Sequence, residues 1–308
     1  MARRLLLLEC HEDRDTICAF EGPCVDWRSP ELHYQKSNRM IRRPVPPWFF
    51  WLLAIGGVAA LLGAYEIVSA RQTRINPLQT TIPSFEKLGE GFKQIFRAQG
   101  LPENPKPPMF WVDIRATLWR LVIGMATGVV ASIVVGVLMG AYRWSEAPLS
   151  PIVMFLSKIP PTAMMPIYFA IVGTDQKMFT SMVALGIFFS MTQSIYQAVR
   201  QDVSDEAINK AYTLGASEME IIYEVIWKQI LPKIIDSIRL QIGPAMVFLL
   251  AAEMVVGNAG LGYQIRMQSR ILNMSIVYVY LAILAFIGLI AEWGLATLRR
   301  KICPWYVD

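Results

Sequence analysis

The stretch VSDEAINKAYTLGASEMEIIYEVIWKQILP, residues 203–232, is polar and charged, yet long apolar runs flank it: Met178 to Val199 before it and Ile234 to Val256 after it. A segment so placed is a loop held against a membrane rather than a domain of its own. It reads as a handle gripped by something outside the membrane. The rest of the chain agrees. Hydrophobic residues make up 54% and charged residues only 17% of the 308, and the mean hydropathy is +0.39. That is too apolar for an ordinary soluble domain and predicts a polytopic membrane protein.

A hydrocarbon core of roughly 30 Å takes about 20 apolar residues per helical crossing. Six stretches qualify: Trp48 to Val68, Leu118 to Ala141, Pro148 to Val172, Met178 to Val199, Ile234 to Val256 and Ile276 to Leu298. The first opens on Trp48, Phe49, Phe50 and Trp51, rings suited to a headgroup boundary. The second carries Gly124, Gly128, Gly136 and Gly140, two small-xxx-small pairs that let helix backbones approach in lipid. The third is interrupted by Pro151, Pro160, Pro161 and Pro166, which remove amide donors and kink a helix. The expected organisation is a tail over 1–47, a first span over 48–68, an outer loop over 69–113, a five-span core over 114–298 containing the 202–232 loop, and a short tail over 299–308.

Six crossings put both termini on one side. Arg3, Arg4, Arg14, Arg28, Lys36, Arg39, Arg42 and Arg43 precede the first span, and Arg299, Arg300 and Lys301 follow the last, so that side is read as cytoplasmic. The 202–232 handle then faces the cytoplasm, and Gly257 to Ser275 faces outward. The outer loop's Arg71, Arg74, Lys87, Lys93, Arg97 and Lys106 run against the charge rule, which long loops follow poorly. Within that loop Phe85, Leu88, Phe92, Ile95 and Phe96 follow a helical spacing after Pro83 and Ser84, a stop and a cap for an interfacial helix that Gly89 and Gly91 weaken. Pro102, Pro105, Pro107 and Pro108 form a stiff link to the second span.

The first 39 residues have no useful apolar run and read as a disordered tail with reduced thiols; alternatively translation starts at Met40. Cys10, His11, Cys18, Cys24 and His33 lack the close spacing of a structural zinc site, so no metal is expected. The chain has no phosphate loop, no H-E-x-x-H and no G-x-S-x-G, which argues against an enzyme. Work against a gradient would draw on a partner or a coupled ion.

The handle has its own local logic. Gly215 suits a sharp joint between a helix ending near Leu214 and one starting near Ser217, with Glu220 completing a capping box on Ser217. Ala211, Tyr212, Leu214 and Ala216 would form the knob of this elbow. The plain alternative is a helical hairpin packed on its own bundle.

In lipid, charged and polar residues mark paths or helix contacts. Lys158, beside the Pro160–Pro161 break, reads either as a counter-charge for an anion or as a side chain snorkelling to headgroups. Glu253 bears on an outer gate, pairs with Arg266 or caps a turn; Arg239 snorkels. Ser190, Thr192, Gln193, Ser194 and Gln241 either hydrogen-bond a passing solute or bind helices together.

Taken together, these residues resemble the permease subunits of binding-protein-dependent ABC importers, nearest the branch serving nitrate, sulfonate, taurine and bicarbonate. That family's loop has the pattern E-A-A-x-x-x-G with I-x-L-P further on. Here Ala211 and Gly215 fall on the last Ala and the Gly, and Leu231–Pro232 matches a second Leu-Pro. Asn209 and Lys210 stand where Glu and Ala are usual, and Val225 to Lys228 replaces I-x-L-P. Thr81 to Ser84, Lys158 to Pro161, Ala251 to Met254 and Gly260 to Tyr263 extend the resemblance over residues 78–298.

The resemblance implies an all-α fold like that of type I ABC importers, with six spans and a cytoplasmic coupling-helix loop, in the cell inner membrane. Glu206, Asn209, Ala211, Tyr212, Leu214, Gly215, Ala216, Ser217 and Glu218 would engage an ATP-binding cassette subunit, with Glu206 or Glu218 replacing the missing loop glutamate. The other implied partners are an extracytoplasmic solute-binding protein near Gly257 to Tyr263, a second permease copy and the lipid bilayer, but no nucleic acid. ATP would be used by the partner, with no cofactor in this chain. The translocation path would take Lys158, Ser190, Gln193, Gln241 and Glu253. A self-sufficient secondary transporter and a non-transporting membrane scaffold are the rival readings.

Overall fold

A computed structural model describes residues 16–17, 25–26, 46–75, 82–97, 109–173 and 175–305. The cysteine and histidine candidates of the tail, Thr81 and the proline link lie outside these residues. The chain divides into two compact units, 1–63 and 64–308.

In the first unit, strand β1 (Thr16–Ile17) pairs antiparallel with β2 (Val25–Asp26), a two-residue ladder where a structureless tail was expected. The amino-terminal half of α1 (Pro47–Ile75) follows, opened by a proline at the first helical position, where no amide is wasted. Trp48 meets Phe49 edge-on at 5.7 Å, and Phe50 meets Trp51 at 6.3 Å, the ring cluster expected of a headgroup boundary.

The second unit begins within α1. Tyr65 Oη donates to Pro83 O at 2.6 Å and Ser69 Oγ to Ile82 O at 3.2 Å, tying the chain before α2 (Phe85–Ile95) back onto α1. Ser84 occupies the N-cap position with extended backbone but makes no side-chain cap bond, so it marks the start without capping it. Gly91 has a use that its helix propensity hides: a Cβ there would lie 3.1 Å from the Ser275 carbonyl group. The helix thereby seats Ile95 in a cluster with Phe110, Leu261, Ile276 and Tyr280.

Helix α3 (Met109–Ala141) starts nine residues before the expected span. After it come α4 (Arg143–Leu156), a 3₁₀ turn (Pro161–Met164), α5 (Met165–Val172) and α6 (Gln176–Asp202). The glycines of α3 meet α6 in register: a Cβ on Gly124, Gly136 or Gly140 would come within 2.9 Å of Val183, Ile195 or Val199 side chains, and one on Gly128 within 2.8 Å of the Ala184 carbonyl and Ile187. Ser132, in the same row, donates to Phe188 O at 3.1 Å. Because the partner numbers rise together, α3 and α6 run parallel. The chain between them must therefore return across the bundle, which makes α4 and α5 one broken crossing, bent by 87°. Pro148 and Pro151 sit inside α4 without ending it; the break falls at Pro160–Pro161. With the five long helices this gives six crossings among the described residues.

Gly128→Ala is expected to cost about 1–3 kcal/mol, because the clash is with backbone that cannot turn aside. Gly243→Ala, with nothing within 4 Å, is expected to be neutral or slightly stabilising. Thermal unfolding in detergent distinguishes the two; equal midpoints would contradict the seam.

The 202–232 handle is more helical than its sequence suggests. Helix α7 (Asp205–Thr213) is followed by α8 (Glu218–Glu220), a π-helical stretch (Ile221–Trp227) and α9 (Lys228–Val256). The last three form one continuous helix from Glu218 to Val256. The fifth span therefore starts at the elbow itself rather than near Ile234, and Pro232 and Pro244 lie inside it without ending it. Helices α10 (Leu261–Arg270) and α11 (Met274–Ile302) complete the fold. Arg239 does not simply snorkel: it faces Glu292 at 3.5 Å and Asp236 at 3.7 Å, and Arg299 Nη1 donates to Asp236 at 2.8 Å, fastening α9 to α11.

Candidate functional site

Three features lie along α6 and α9: an exposed elbow at one end, a cavity partway, and a buried polar cluster at the other end. A rise of 1.5 Å per residue puts the ends of α9 about 40 Å apart.

The elbow is built almost wholly from local signals. Ser204 Oγ accepts from Ala207 N at 3.3 Å, and Asp205 and Glu206 sit in the first turn of α7, where negative charge complements the helix dipole. At the other end Ala216 N donates to Ala211 O and Gly215 N to Tyr212 O, a Schellman closure. It needs the positive φ of Gly215, +84°. Ser217 then caps α8: its amide donates to Glu220 Oε2 at 2.7 Å, and Glu220 N donates back to Ser217 Oγ.

Leu214 is 87% exposed, and Tyr212, Asn209, Ser217 and Glu218 are exposed with it, while Ala211 and Ala216 are half-buried. Glu206 faces Lys210 at 4.0 Å, and Glu218 accepts from Tyr142 Oη at 3.3 Å. Val203, Ile226 and Ile230 plug the base of the elbow into a core with Ile195 and Val199. Sequence reading missed Met219 and Tyr223, both exposed on the second arm. Their i, i+4 spacing after Ser217 was the available signal.

The cavity, about 260 Å³, lies where the broken crossing meets α6 and α9. Ser157, Ile159 and Pro161 line it from the break, Ser190 from α6, and Gln241 and Pro244 from α9. Of the expected path residues, Ser190 and Gln241 come together here, and Lys158 is exposed on the adjoining turn. Gln193 is outside the lining, with a buried Oε1 that has no hydrogen-bond partner among the described residues. Ser194 shares a 2.8 Å hydrogen bond with Ser237, so that pair binds α6 to α9.

Glu253 also lies outside the cavity. It is fully buried, and its partner is Arg120, at 2.8 Å, not Arg266. Arg266 instead donates to the carbonyls of Val255 and Gly257. Arg120 Nη1 donates also to Ala259 O, while its Nε and Nη2 donate to Gln176 Oε1 and its guanidinium lies 4.1 Å from the Phe179 ring centre. Three successive amides at the start of α10 are capped from other helices: Gly260 N donates to Asp113 Oδ1, Leu261 N to Thr117 Oγ1 and Gly262 N to Glu253 Oε2. Gly260 has φ +124°, and a Cβ there would fall 2.4 Å from Glu253. Sequence reading missed Asp113, Thr117, Arg120 and Gln176. The first three share one helix face at i, i+4 and i+7, which was the visible signal.

Residues 128–302, more than half of the chain and including the break, the elbow and the α9–α10 turn, match the family described as binding-protein-dependent transport system inner membrane component. The chain belongs to this family. Among its relatives, the taurine transport system permease protein TauC of Escherichia coli K12 is 28% identical over 254 residues, covering 82% of this chain and 90% of that one. The nitrate import permease protein NrtB of Leptolyngbya laminosa is 25% identical over 227 residues, covering 73% and 76%. The fold is similar to a chain of the MetNI methionine ABC transporter in an inward-facing conformation, with TM-score 0.57 and 21% identity over 63% of this chain and 98% of that one. Family and fold agree with the type I importer resemblance read from the elbow and the kinked third span.

Proposed function

We propose that this permease is the membrane-spanning subunit of an ABC importer that moves a small anion. It would act with a separate ATP-hydrolysing subunit, an extracytoplasmic solute-binding protein and a second permease copy in the inner membrane, with both termini cytoplasmic. ATP is used by the partner, and this chain supplies coupling and path.

One observation carries the reading. The capped, glycine-jointed elbow presents Tyr212 and Leu214 outward, and its second arm runs unbroken into α9, which lines the cavity through Gln241 and Pro244. A push on the elbow is therefore delivered along a helix to the cavity wall. Pro244 adds compliance there, because it lacks the amide that would close on the Leu240 carbonyl.

An anion is supported by three things. The cavity lining offers hydroxyl and amide groups and no carboxylate, Lys158 stands on the adjoining turn, and the named relatives serve nitrate and the sulfonate-bearing taurine. The Gly257–Tyr263 turn is largely buried, so the delivering protein meets the exposed end of α10, at Met267, Arg270, Ile271 and Leu272.

The test is reconstitution in proteoliposomes with the ATPase and the binding protein. Uptake of nitrate or taurine that requires ATP, together with hydrolysis stimulated by loaded binding protein, is the expected result. Full uptake by the permease alone would make it a secondary transporter. An assembled complex without nucleotide-dependent uptake of any anion would leave the scaffold reading.

A further inference from the structure

The polar cluster at the far end of the bundle has no place in the path just described, yet its buried side chains are joined by a dense set of hydrogen bonds. A helix start leaves its first amides without partners, and their dipole favours negative charge. At α10 these amides are taken by side chains from two other helices: Asp113 and Thr117 on α3 and Glu253 on α9. Two carboxylates placed together need a balancing charge, and Arg120 provides it. The same guanidinium reaches Gln176 at the start of α6 and the Ala259 carbonyl. Four elements thus meet in one network, and all of its named side chains but Gln176 are at least nine-tenths buried.

Geometry points to a mechanical role. The elbow and this cluster lie at opposite ends of α6 and α9, and α3 is zipped to α6 along the glycine seam. Helices pushed at one end bend or slide unless the other end is held. Two breaks in regular helical bonding, the 3₁₀ turn and the missing amide of Pro244, lie between the two ends.

We infer that Asp113, Thr117, Arg120 and Glu253 are positioning residues of the transport cycle: a clasp that keeps the ends of α3, α6, α9 and α10 one rigid body while the elbow halves move. This rests on the importer reading. The clasp touches no solute; it acts by making α6 and α9 levers with a fixed end, so that ATP-driven motion goes to the cavity wall.

Hydrogen exchange on the reconstituted complex tests this. Amides in the 257–264 peptide are expected to exchange equally slowly in the nucleotide-free and vanadate-trapped states, while the 204–220 peptide changes. Exchange at 257–264 about tenfold faster in one state would overturn the proposal, since the cluster would then open each cycle as a gate. Thr117→Val removes the hydroxyl at constant size; it is expected to speed exchange at Leu261 about tenfold, the consequence of losing the acceptor of the Leu261 amide, and to lower solute moved per ATP by a similar factor. Thr117→Ser keeps the hydroxyl and is expected to restore that ratio. A Thr117→Val protein with faster exchange but normal solute per ATP would reduce the clasp to a structural contact. Failure of the importer reading looks different: no nucleotide-dependent change in the elbow peptide of any variant.

Discussion

Glu253→Ala is expected to destabilise the permease by about 3–5 kcal/mol, the range found when one partner of a buried ion pair is removed. The carboxylate is 0% exposed and accepts from Arg120 Nη1, Thr117 Oγ1 and Gly262 N. Its loss leaves a guanidinium, itself only 7% exposed, with neutral acceptors alone, and leaves the Gly262 amide without its acceptor. Thermal or denaturant unfolding in detergent checks the figure. Glu253→Gln, which keeps shape and one acceptor oxygen, is expected to lie between wild type and alanine. A paired replacement, Arg120→Met with Glu253→Leu, is expected to recover only part of the loss: it strands no guanidinium, but it leaves Asp113 without its counter-charge and the Gly262 amide without its acceptor. A cost below about 1 kcal/mol for Glu253→Ala would mean that water reaches Arg120 and that the cluster is not closed.

Leu214→Asp should do the opposite: little to the fold, much to function. Leu214 is 87% exposed, and its backbone amide already closes on Lys210 O, so the side chain has nothing to lose within this chain. Unfolding is expected to shift by no more than about 0.5 kcal/mol. An exposed leucine at the tip of a rigid elbow is, however, the anchor that a socket on the proposed ATPase subunit would bury. Charging an anchor of that kind costs about 2 kcal/mol or more, some thirtyfold in affinity. Pull-down of the ATPase subunit on tagged permease, with Lys210→Ala as a nearby control, measures it. Undiminished association together with normal ATP-driven uptake would move the coupling surface away from the elbow.

The two positions differ in how readable they were. Everything that shapes the elbow is satisfied within a few residues: Ser204 by Ala207, Tyr212 by Gly215, Ser217 by Glu220. Short-range bonds of that kind leave a pattern in consecutive letters. The glycine row of α3 was readable for a related reason, since helical spacing puts small residues on one face wherever the partner comes from. Its partner row, Val183, Ile187, Ile195 and Val199, was not, because apolar residues in α6 look alike until a neighbour selects among them. At the far end of α9, the turn-capping alternative for Glu253 agrees with its bond from Gly262 N, but its ion-pair partner was not readable. Glu253 has a nearby cation in sequence, Arg266, but Arg266 bonds backbone carbonyls, while the true partner stands 133 positions away.

The continuity of α8, the π-helical stretch and α9 was hidden as well. Polar residues and Pro232 suggested a loop, whereas buried Ile226 and Ile230 packed against α6 hold the backbone helical through them.

Amino-acid order alone was enough for a membrane bundle, the number of its crossings, the site of its break and the form of its elbow. These depend on apolar length, on missing amides and on caps closed between near neighbours. The parallel run of α3 and α6, the single lever from Glu218 to Val256, the joining of Ser190 and Gln241 in one cavity and the choice of Arg120 for Glu253 were decided by tertiary structure. Each is a contact between residues that chain order leaves far apart, and burial selects among chemically equivalent partners only once the helices are packed.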